Sequence, residues 1–279
     1  EYWRLKEAPF EELRNTRFFF ESEDHREALD RMLYVVNDRT MNMGLLTGEV
    51  GSGKTITKNV LKSSLPRHDF EVIDFENSHF PFPDILFAIV SNISFRDSRI
   101  AMTEELPVPQ RGDKFMLMTT LKKMLEILVY EEKRHLVVLF DEAQLMDPEV
   151  LDEVKNLTNI ASETESYMTL FLVGQPELRE KVKQTRQVDQ RIFLRFHLNN
   201  LDYAGTVNYI RHRLLVGGCE NTSIFTSEAR EKIFYHTGGI PREINRLCKL
   251  VLTYGFAHEV TEITGEHIEI IIDDLSKHR

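Results

Sequence analysis

Apolar positions along this chain follow two spacings that alternate. Short continuous apolar runs are typical of buried parallel strands, and they occupy residues 43–47, 70–75, 136–140 and 168–174, with a further candidate strand at 193–198. Between these runs, apolar residues recur every three or four positions. That spacing predicts helices at about 24–36, 56–65, 82–93, 113–132, 148–163 and 177–182. The alternation predicts an α/β fold with a doubly wound parallel sheet.

Only the helical spacing continues after about residue 198. It predicts helices at residues 202–216, 226–236, 241–257 and 264–275. A connecting loop is predicted at 94–112, because Pro107, Pro109 and Gly112 interrupt the helical pattern. We therefore expect an N-terminal segment that packs on the core (1–21), an α/β domain (22–200) and a small all-helical domain (201–279).

The composition is that of a globular protein without disulfides. Hydrophobic residues make up 42% of the 279 positions, and Cys219 and Cys248 are the two cysteines. Cys248 lies on the apolar face of a predicted helix, so we expect it in the core. No apolar run reaches the ~18 residues of a membrane-spanning helix, and the start of the chain does not resemble a signal peptide. We expect a cytoplasmic protein, and the absence of an initial Met fits a piece of a longer gene product.

The string Gly48-Glu49-Val50-Gly51-Ser52-Gly53-Lys54-Thr55 matches the phosphate-binding loop of nucleoside triphosphatases. The loop follows a predicted strand and precedes a predicted helix, so phosphate is expected at a helix N-terminus. In such a loop Lys54 contacts the β- and γ-phosphates, and the Thr55 hydroxyl ligates Mg²⁺. The candidate nucleotide-binding residues are Gly48, Glu49, Val50, Gly51, Ser52, Gly53, Lys54, Thr55 and Ile56.

Two carboxylates, Asp141 and Glu142, end the apolar run 136–140. In a phosphate-loop enzyme the first carboxylate holds Mg²⁺, and the second orients and activates the attacking water. Gln175 follows the run 168–174 and is a candidate for holding that water, with an ordinary loop amide as the alternative. Asn77 follows the run 70–75 and is equally compatible with a restraint on Glu142 or with a structural role.

Three arginines are candidates for charge stabilisation at the terminal phosphate. Arg191 and Arg195 flank Ile192-Phe193-Leu194 just before the helical region, and either an arginine finger or a surface ion pair fits that position. Arg242 follows Gly239-Ile240-Pro241, where Pro241 suits the first turn of a helix. If the helical domain covers the nucleotide, Arg242 reaches the γ-phosphate.

In order and spacing, these motifs resemble those of an AAA+ ATPase. Four strings resemble more narrowly the ExeA/GspA group, which is related to TnsC- and TniB-type transposition ATPases: residues 25–29, 46–55, 172–178 and 239–245. The resemblance implies Walker A at 48–55, Walker B at Asp141 and Glu142, sensor 1 at Gln175, sensor 2 at Arg242, and an arginine finger at Arg191. It also implies an adenine pocket formed by residues 15–29. Gln175 departs from the Asn or Thr commoner at sensor 1.

The resemblance implies ATP and Mg²⁺ as cofactors, and a homo-oligomer, either a ring or a helical filament, in which Arg191 acts in trans. ExeA/GspA proteins serve secretion or pilus assembly, and they usually carry a membrane anchor after the ATPase. The transposition ATPases assemble on DNA and recruit a transposase. We therefore expect a bacterial cytoplasmic protein with a protein partner from one of these systems, peripheral to the inner membrane if a further C-terminal region carries an anchor.

The charge of the chain does not decide whether it binds DNA. The net charge of −10 opposes a surface that binds nucleic acid throughout. A local basic run, in which the cations face either a central pore or solvent, consists of Lys181, Lys183, Arg186, Arg191 and Arg195. Three functions remain: an ATPase that remodels a partner, a slowly hydrolysing scaffold gated by nucleotide, and, less favoured, a small-molecule kinase. The preference for ATP over GTP comes from the resemblance.

Overall fold

The computed structural model describes residues 2–11, 16–95, 110–219 and 222–277. The chain forms two compact units. The sheet unit consists of Glu27–Gly48 and Thr57–His197, and the helical unit consists of Glu1–Arg26, Glu49–Ile56 and Leu198–Arg279. The phosphate-loop segment thus groups with the C-terminal helices. The domain division at residues 21 and 200 stays a prediction. Most of the predicted 94–112 loop, including Pro107 and Pro109, lies outside the described residues, as do residues 12–15 of the N-terminal segment.

The sheet has five strands in the order β2-β3-β4-β1-β5. Their bounds are Met43–Gly48 for β1, Phe70–Phe75 for β2, His135–Phe140 for β3, Met168–Gly174 for β4 and Leu194–Leu198 for β5. The pairs β2–β3, β3–β4 and β1–β4 are parallel. Strands β1, β3 and β4 are buried at every position, which explains their continuous apolar runs. The structure confirms the predicted α/β class with a parallel sheet.

The helices follow the predicted order. The first seven are α1 (Glu23–Asp38), α2 (Lys54–Ser64), α3 (Phe82–Asn92), α4 (Lys114–Tyr130), α5 (Pro148–Leu157), α6 (Glu177–Gln184) and the short α7 (Arg186–Asp189). The C-terminal ones are α8 (Tyr203–Val216), α9 (Ser227–Thr237), α10 (Pro241–Ala257) and α11 (Gly265–Lys277). Side-chain caps fix several starts. Asp202 accepts the N–H of Gly205 at 2.6 Å, and Thr226 accepts that of Ala229 at 3.2 Å.

One helix is shorter than predicted. The sequence predicts a helix over 148–163, but α5 ends at Leu157. The polar residues beyond it form a local turn, in which the Ser162 hydroxyl accepts the N–H groups of Thr164 at 3.2 Å and Glu165 at 3.0 Å. Before this turn, the N–H groups of Thr158, Asn159 and Ile160 already bond to carbonyls three residues back. The helix therefore closes in a tight turn although its apolar spacing continues.

Each unit has its own apolar core. In the sheet unit, α3 and α4 pack on the sheet through residues such as Ile85, Ile89 and Leu121, which are completely buried. In the helical unit the core includes Cys248, as predicted, together with Leu214, Ile244 and Val251. No helix among the described residues is long and apolar enough to cross a membrane.

The N-terminal segment packs into the core of the helical unit. The Phe10 and Phe18 side chains are 2% and 1% exposed. The Arg213 guanidinium on α8 lies over the Phe18 ring at 4.6 Å and donates to the backbone carbonyls of Pro9 at 2.5 Å and Glu11 at 2.7 Å. A single buried cation therefore holds the main chain of this segment.

Candidate nucleotide-binding site

The phosphate loop has the backbone shape that its glycines permit. Gly51 and Gly53 have φ angles of +83° and +103°, in the left-handed region that favours glycine. The Ser52 N–H donates to the Glu49 carbonyl at 3.1 Å, and Lys54 Nζ donates to the same carbonyl at 2.8 Å. Helix α2 begins at Lys54. The loop therefore leads directly into a helix N-terminus, where the helix dipole favours anions.

Arg242 lies against this loop. Its backbone N–H points to the Gly51 carbonyl at 3.4 Å, and a Cβ built on Gly51 would lie 2.6 Å from Arg242 Cβ. Pro241 starts α10 as predicted, with Ile240 as the preceding cap residue. The structure therefore brings together, within the helical unit, the loop and the arginine that the sequence assigned to one phosphate site.

His25, which lies in the 25–29 string of the sequence, contacts the phosphate loop. Its Nε2 lies 3.0 Å from the Ser52 carbonyl, and its Nδ1 lies 2.6 Å from the Ser22 hydroxyl. Because a carbonyl only accepts, Nε2 carries the proton and Nδ1 accepts from Ser22. Burial lowers the pKa of His25, against the opposing effects of the Ser52 carbonyl and Asp24. The signal for its role was its place in the 25–29 string.

The carboxylates Asp141 and Glu142 follow β3 in the sheet unit, as expected. Asp141 is 5% exposed. Its Oδ1 accepts the Glu142 N–H at 3.0 Å, and its backbone carbonyl accepts from the Ser78 hydroxyl at 2.6 Å. Glu142 has φ 52° and ψ 35°, a left-handed conformation that is unusual for a residue other than glycine. Strained backbone of this kind occurs most often at functional sites.

A buried lysine neutralises the Asp141 carboxylate. Lys58 Nζ lies 2.9 Å from Asp141 Oδ2 and 2.8 Å from Asp74 Oδ1, and its side chain is 1% exposed. Burial lowers the pKa of Lys58, but its hydrogen bonds and ion pairs with Asp74 and Asp141 outweigh burial, so the pKa is raised overall. The sequence analysis did not identify Lys58, because one lysine among helical polar positions resembles a solvated residue.

The Glu142 carboxylate is held by two glutamines. Gln144 Nε2 donates to Glu142 Oε2 at 2.5 Å, and Gln175 Nε2 donates to the same oxygen at 3.4 Å. Asn77, a candidate restraint on Glu142, instead accepts the His79 N–H at 2.9 Å. The structure therefore brings Gln175 and Gln144 to Glu142. Gln144 had no motif in the sequence, and the role of Gln175 in holding the attacking water stays a prediction.

The arginine-finger candidates lie on the surface of the sheet unit. Arg191 donates to the Asn159 amide oxygen at 2.5 Å, and Arg195 pairs with Asp189 at 2.8 Å. Other cations of the basic run also have protein partners. Lys183 pairs with Glu180 at 2.8 Å, and Lys181 donates to the Gln144 and Met146 carbonyls. These partners occupy cations that a DNA-facing stripe would require.

The residues present fit a nucleotide with Mg²⁺. Ser52 Oγ is buried and has no hydrogen-bond partner in the described part of the chain, so the loop contains a polar atom that a phosphate oxygen would satisfy. In the helical unit Thr55 supplies a hydroxyl, and in the sheet unit Asp141 supplies a carboxylate; each is an oxygen ligand of the kind that Mg²⁺ prefers. Within the described ranges no three His, Cys, Asp or Glu residues form a metal cluster.

The loop, the parallel sheet and the paired carboxylates define a phosphate-loop nucleoside triphosphatase. The family model described as an AAA domain matches residues 37–182, just over half of the chain. The chain therefore belongs to the AAA domain family and is an AAA+ ATPase. It is 32% identical over 280 aligned residues to general secretion pathway protein A of Aeromonas hydrophila, which confirms the resemblance to the ExeA/GspA group. The alignment covers 99% of this chain and 48% of that relative, so the chain spans about half of its length.

Solved structures share the fold at low sequence identity. The ORC2 protein of Aeropyrum pernix, in ADPNP–ADP complexes, has a TM-score of 0.65 at 16% identity, covering 95% of this chain and 71% of that one. The RuvB Holliday junction branch migration motor of Thermotoga maritima has a TM-score of 0.59 at 16% identity, covering 99% and 74%. These likenesses concern the fold.

Proposed function

We propose that this ATPase binds ATP with Mg²⁺ and hydrolyses it at subunit interfaces of a homo-oligomer, driving the assembly or remodelling of a secretion complex. The observation that carries the proposal is the phosphate loop of the helical unit, with Lys54 at the start of α2 and Arg242 packed against Gly51. Backbone N–H groups and the Lys54 ammonium on the loop, together with Arg242 of α10 beside it, would form a site for a multiply charged phosphate chain.

The proposal assigns the chemistry of water attack to the sheet unit. Bound Mg²⁺ would neutralise charge on the phosphates, held by Asp141 and by Thr55 of the loop. Glu142 would take the proton of the attacking water, and Gln175 would help to orient it. Lys58 forms a buried ion pair with the Asp141 carboxylate. In this mechanism Asp141 would ligate Mg²⁺, and Glu142 would activate the attacking water.

Arg191 supplies the oligomeric part of the proposal. Its side chain lies at the surface and donates to a neutral amide oxygen on Asn159. Exchanging this contact for the phosphate of a neighbouring protomer's nucleotide replaces a neutral acceptor with a charged one, which forms a stronger hydrogen bond. A guanidinium is suited to this task because its charge is permanent and its donors form a rigid fork.

The test is phosphate release by single variants and by mixtures. Lys54→Ala should abolish nucleotide binding and turnover. Glu142→Gln should retain ATP while losing turnover, and Arg191→Ala should lower kcat on the order of 10³-fold. A mixture of the Arg191→Ala and Glu142→Gln proteins should exceed the activity of either alone, because each supplies what its neighbour lacks.

Arg179→Ala is the matched control, since Arg179 is an exposed arginine on α6, and it should retain normal kcat. Full activity of Lys54→Ala would reject the ATPase site. A mixture no more active than the average of its components would reject action in trans. A turnover that is slow for every protein, with tight ATP binding, would favour the nucleotide-gated scaffold.

The secretion role rests on the relative from Aeromonas hydrophila. A role on DNA, as in transposition ATPases, lacks a specific supporting observation, since the contacts of Lys181, Lys183 and Arg195 lie within the protein. Gel-shift measurements with an ATP analogue at stated salt concentrations would reverse this preference if they showed tight, salt-dependent binding to DNA.

A further inference from the structure

The amide of Gln144 connects the Glu142 carboxylate to the end of strand β4. On one side Gln144 Nε2 donates to Glu142 Oε2 at 2.5 Å, and on the other Gln144 Oε1 accepts the Gln175 backbone N–H at 3.2 Å. An amide used at both ends has one orientation, because reversing it would place N–H against N–H and oxygen against carboxylate. The two hydrogen bonds therefore fix both the position and the orientation of the Gln144 amide.

The surroundings leave Gln144 little freedom. A Cβ added to Gly174 would lie 2.5 Å from Gln144 Oε1 and 2.9 Å from Leu178 Cδ2. Only glycine at the end of β4 lets the amide approach this closely. The main chain is fixed as well, since the ammonium of Lys181 donates to the carbonyls of Gln144 and, at 2.7 Å, of Met146.

The carboxylate is approached from one side. Both amide donors, from Gln144 and Gln175, contact Oε2, and within the described residues no hydrogen bond reaches Oε1. A general base must lie within hydrogen-bond reach of the proton that it accepts, and Oε1 is the oxygen that these two donors do not contact. Because Glu142 also has a left-handed backbone, the side chain is presented from a turn that the Lys181 contacts stabilise.

We infer that Gln144 is a positioning residue for ATP hydrolysis: its amide holds the Glu142 carboxylate by Oε2 and leaves Oε1 to accept the proton of the attacking water. This inference rests on the proposed function, in which Glu142 is the base. Gln144 acts through Glu142 and does not contact nucleotide. Its loss therefore slows the chemical step and leaves nucleotide affinity intact.

The experiment compares Gln144→Met with the native protein in steady-state phosphate release and in binding of a fluorescent ATP analogue. Methionine keeps the length of the side chain and removes both amide groups. The expected result is a fall in kcat of about 10–100-fold with KM and analogue affinity unchanged, as for a misplaced catalytic group. Gln184→Met is the matched control, because Gln184 is an exposed glutamine at the end of α6, and it should have native kcat.

A double-mutant cycle separates positioning from a general structural effect. In the Glu142→Gln background, adding Gln144→Met should leave kcat unchanged, because the group that Gln144 positions is already lost. The same fold-loss in both backgrounds would overturn the inference. If Gln144→Met melts early, Gln144→Glu replaces it, since a carboxylate still accepts the Gln175 N–H but cannot donate to Glu142, and it should show the same loss and the same cycle.

The proposed function and this inference fail in different ways. If the Glu142→Gln protein hydrolyses ATP slowly and the Gln144→Met protein is fully active, the positioning role of Gln144 is rejected and the proposed ATPase mechanism is retained. A fully active Glu142→Gln would remove Glu142 as the base, and the inference with it.

Discussion

Lys58 shows how one side chain determines the electrostatics of the carboxylate half of the site. Asp74 and Asp141 are both nearly buried, and Lys58 lies within 2.9 Å of each. The Lys58 ammonium places a cation between these two carboxylates. Lys62 also approaches Asp74, at 3.5 Å, but its side chain is 47% exposed. Substitutions of Lys58 and Lys62 therefore compare a buried cation with an exposed one at the same carboxylate, Asp74.

We expect Lys58→Met to lower the free energy of unfolding by about 3–5 kcal/mol, because it leaves uncompensated charge in the interior. Lys62→Met should lower it by at most about 1 kcal/mol, as for an exposed ion pair. Urea denaturation followed by circular dichroism measures both. Equal effects of the two substitutions would show that burial of the Lys58 ion pairs does not govern stability here.

Sequence analysis found the residues with a motif and missed those without one. Lys54, Asp141 and Arg242 have motif positions, since their chemistry needs a fixed spacing from glycine, a strand end or a helix start. Lys58 and His25 act through distant contacts, Lys58 with Asp74 and His25 with Ser52. Burial and partner identity are properties of the folded chain. The local pattern gave no sign of Lys58, and the 25–29 string included His25 without indicating its partner.

At the scale of elements, the phosphate loop and the start of α10 are fitted to each other. Gly51 has φ +83°, and an added Cβ would meet Arg242 Cβ at 2.6 Å and Ile240 Cγ2 at 3.2 Å. Gly112 has a similar φ of +93°, but no atom of the described residues lies within 4 Å of its Cβ position. Both glycines resist substitution through backbone strain, and only Gly51 resists it through packing as well.

We expect Gly51→Ala to weaken binding of a fluorescent ATP analogue by at least about 10-fold, because displacing α10 or the loop by the required distance misplaces phosphate ligands. Gly112→Ala carries a comparable conformational strain and should bind the analogue normally. Equal affinities of the two variants would mean that the loop adapts to the added methyl group without loss of its phosphate contacts.

Strands were easier to predict than helix ends. The continuous apolar runs gave β3 and β4 to within one residue, because a strand buried on both faces has little choice of residue type. The end of α5 was misplaced by six residues, since Ser162 and its neighbours form a hydrogen-bonded turn that periodicity does not register. The short α7 was not predicted, because four residues contain barely one helical period.

For the whole molecule, the relation to the secretion protein gives the sharpest biological test. The chain aligns with 48% of the Aeromonas hydrophila relative, so a chimera can be made in which this chain replaces the matched half. We expect the chimera to restore protein export in a strain lacking the relative, because the ATPase half would supply the same nucleotide cycle. The measurement is the amount of exported protein in the culture medium.

The same chimera with Lys54→Ala is the control and should not restore export. A stable chimera that hydrolyses ATP and still fails in export would indicate that this chain serves a different partner. Restoration by the Lys54→Ala chimera would show that export does not require nucleotide turnover in this half.

The hydrogen bonds from Arg213 to the N-terminal segment determine which changes this segment tolerates. Its two acceptors are the main-chain carbonyls of Pro9 and Glu11, which every amino acid possesses, so point changes there leave the anchor in place. Removal of the whole segment would have a different effect, because it removes both carbonyls. A recombinant form that begins after residue 11 would leave the Arg213 guanidinium in an apolar interior without its two carbonyl acceptors. Removing the segment to aid crystallisation would therefore destabilise the helical unit.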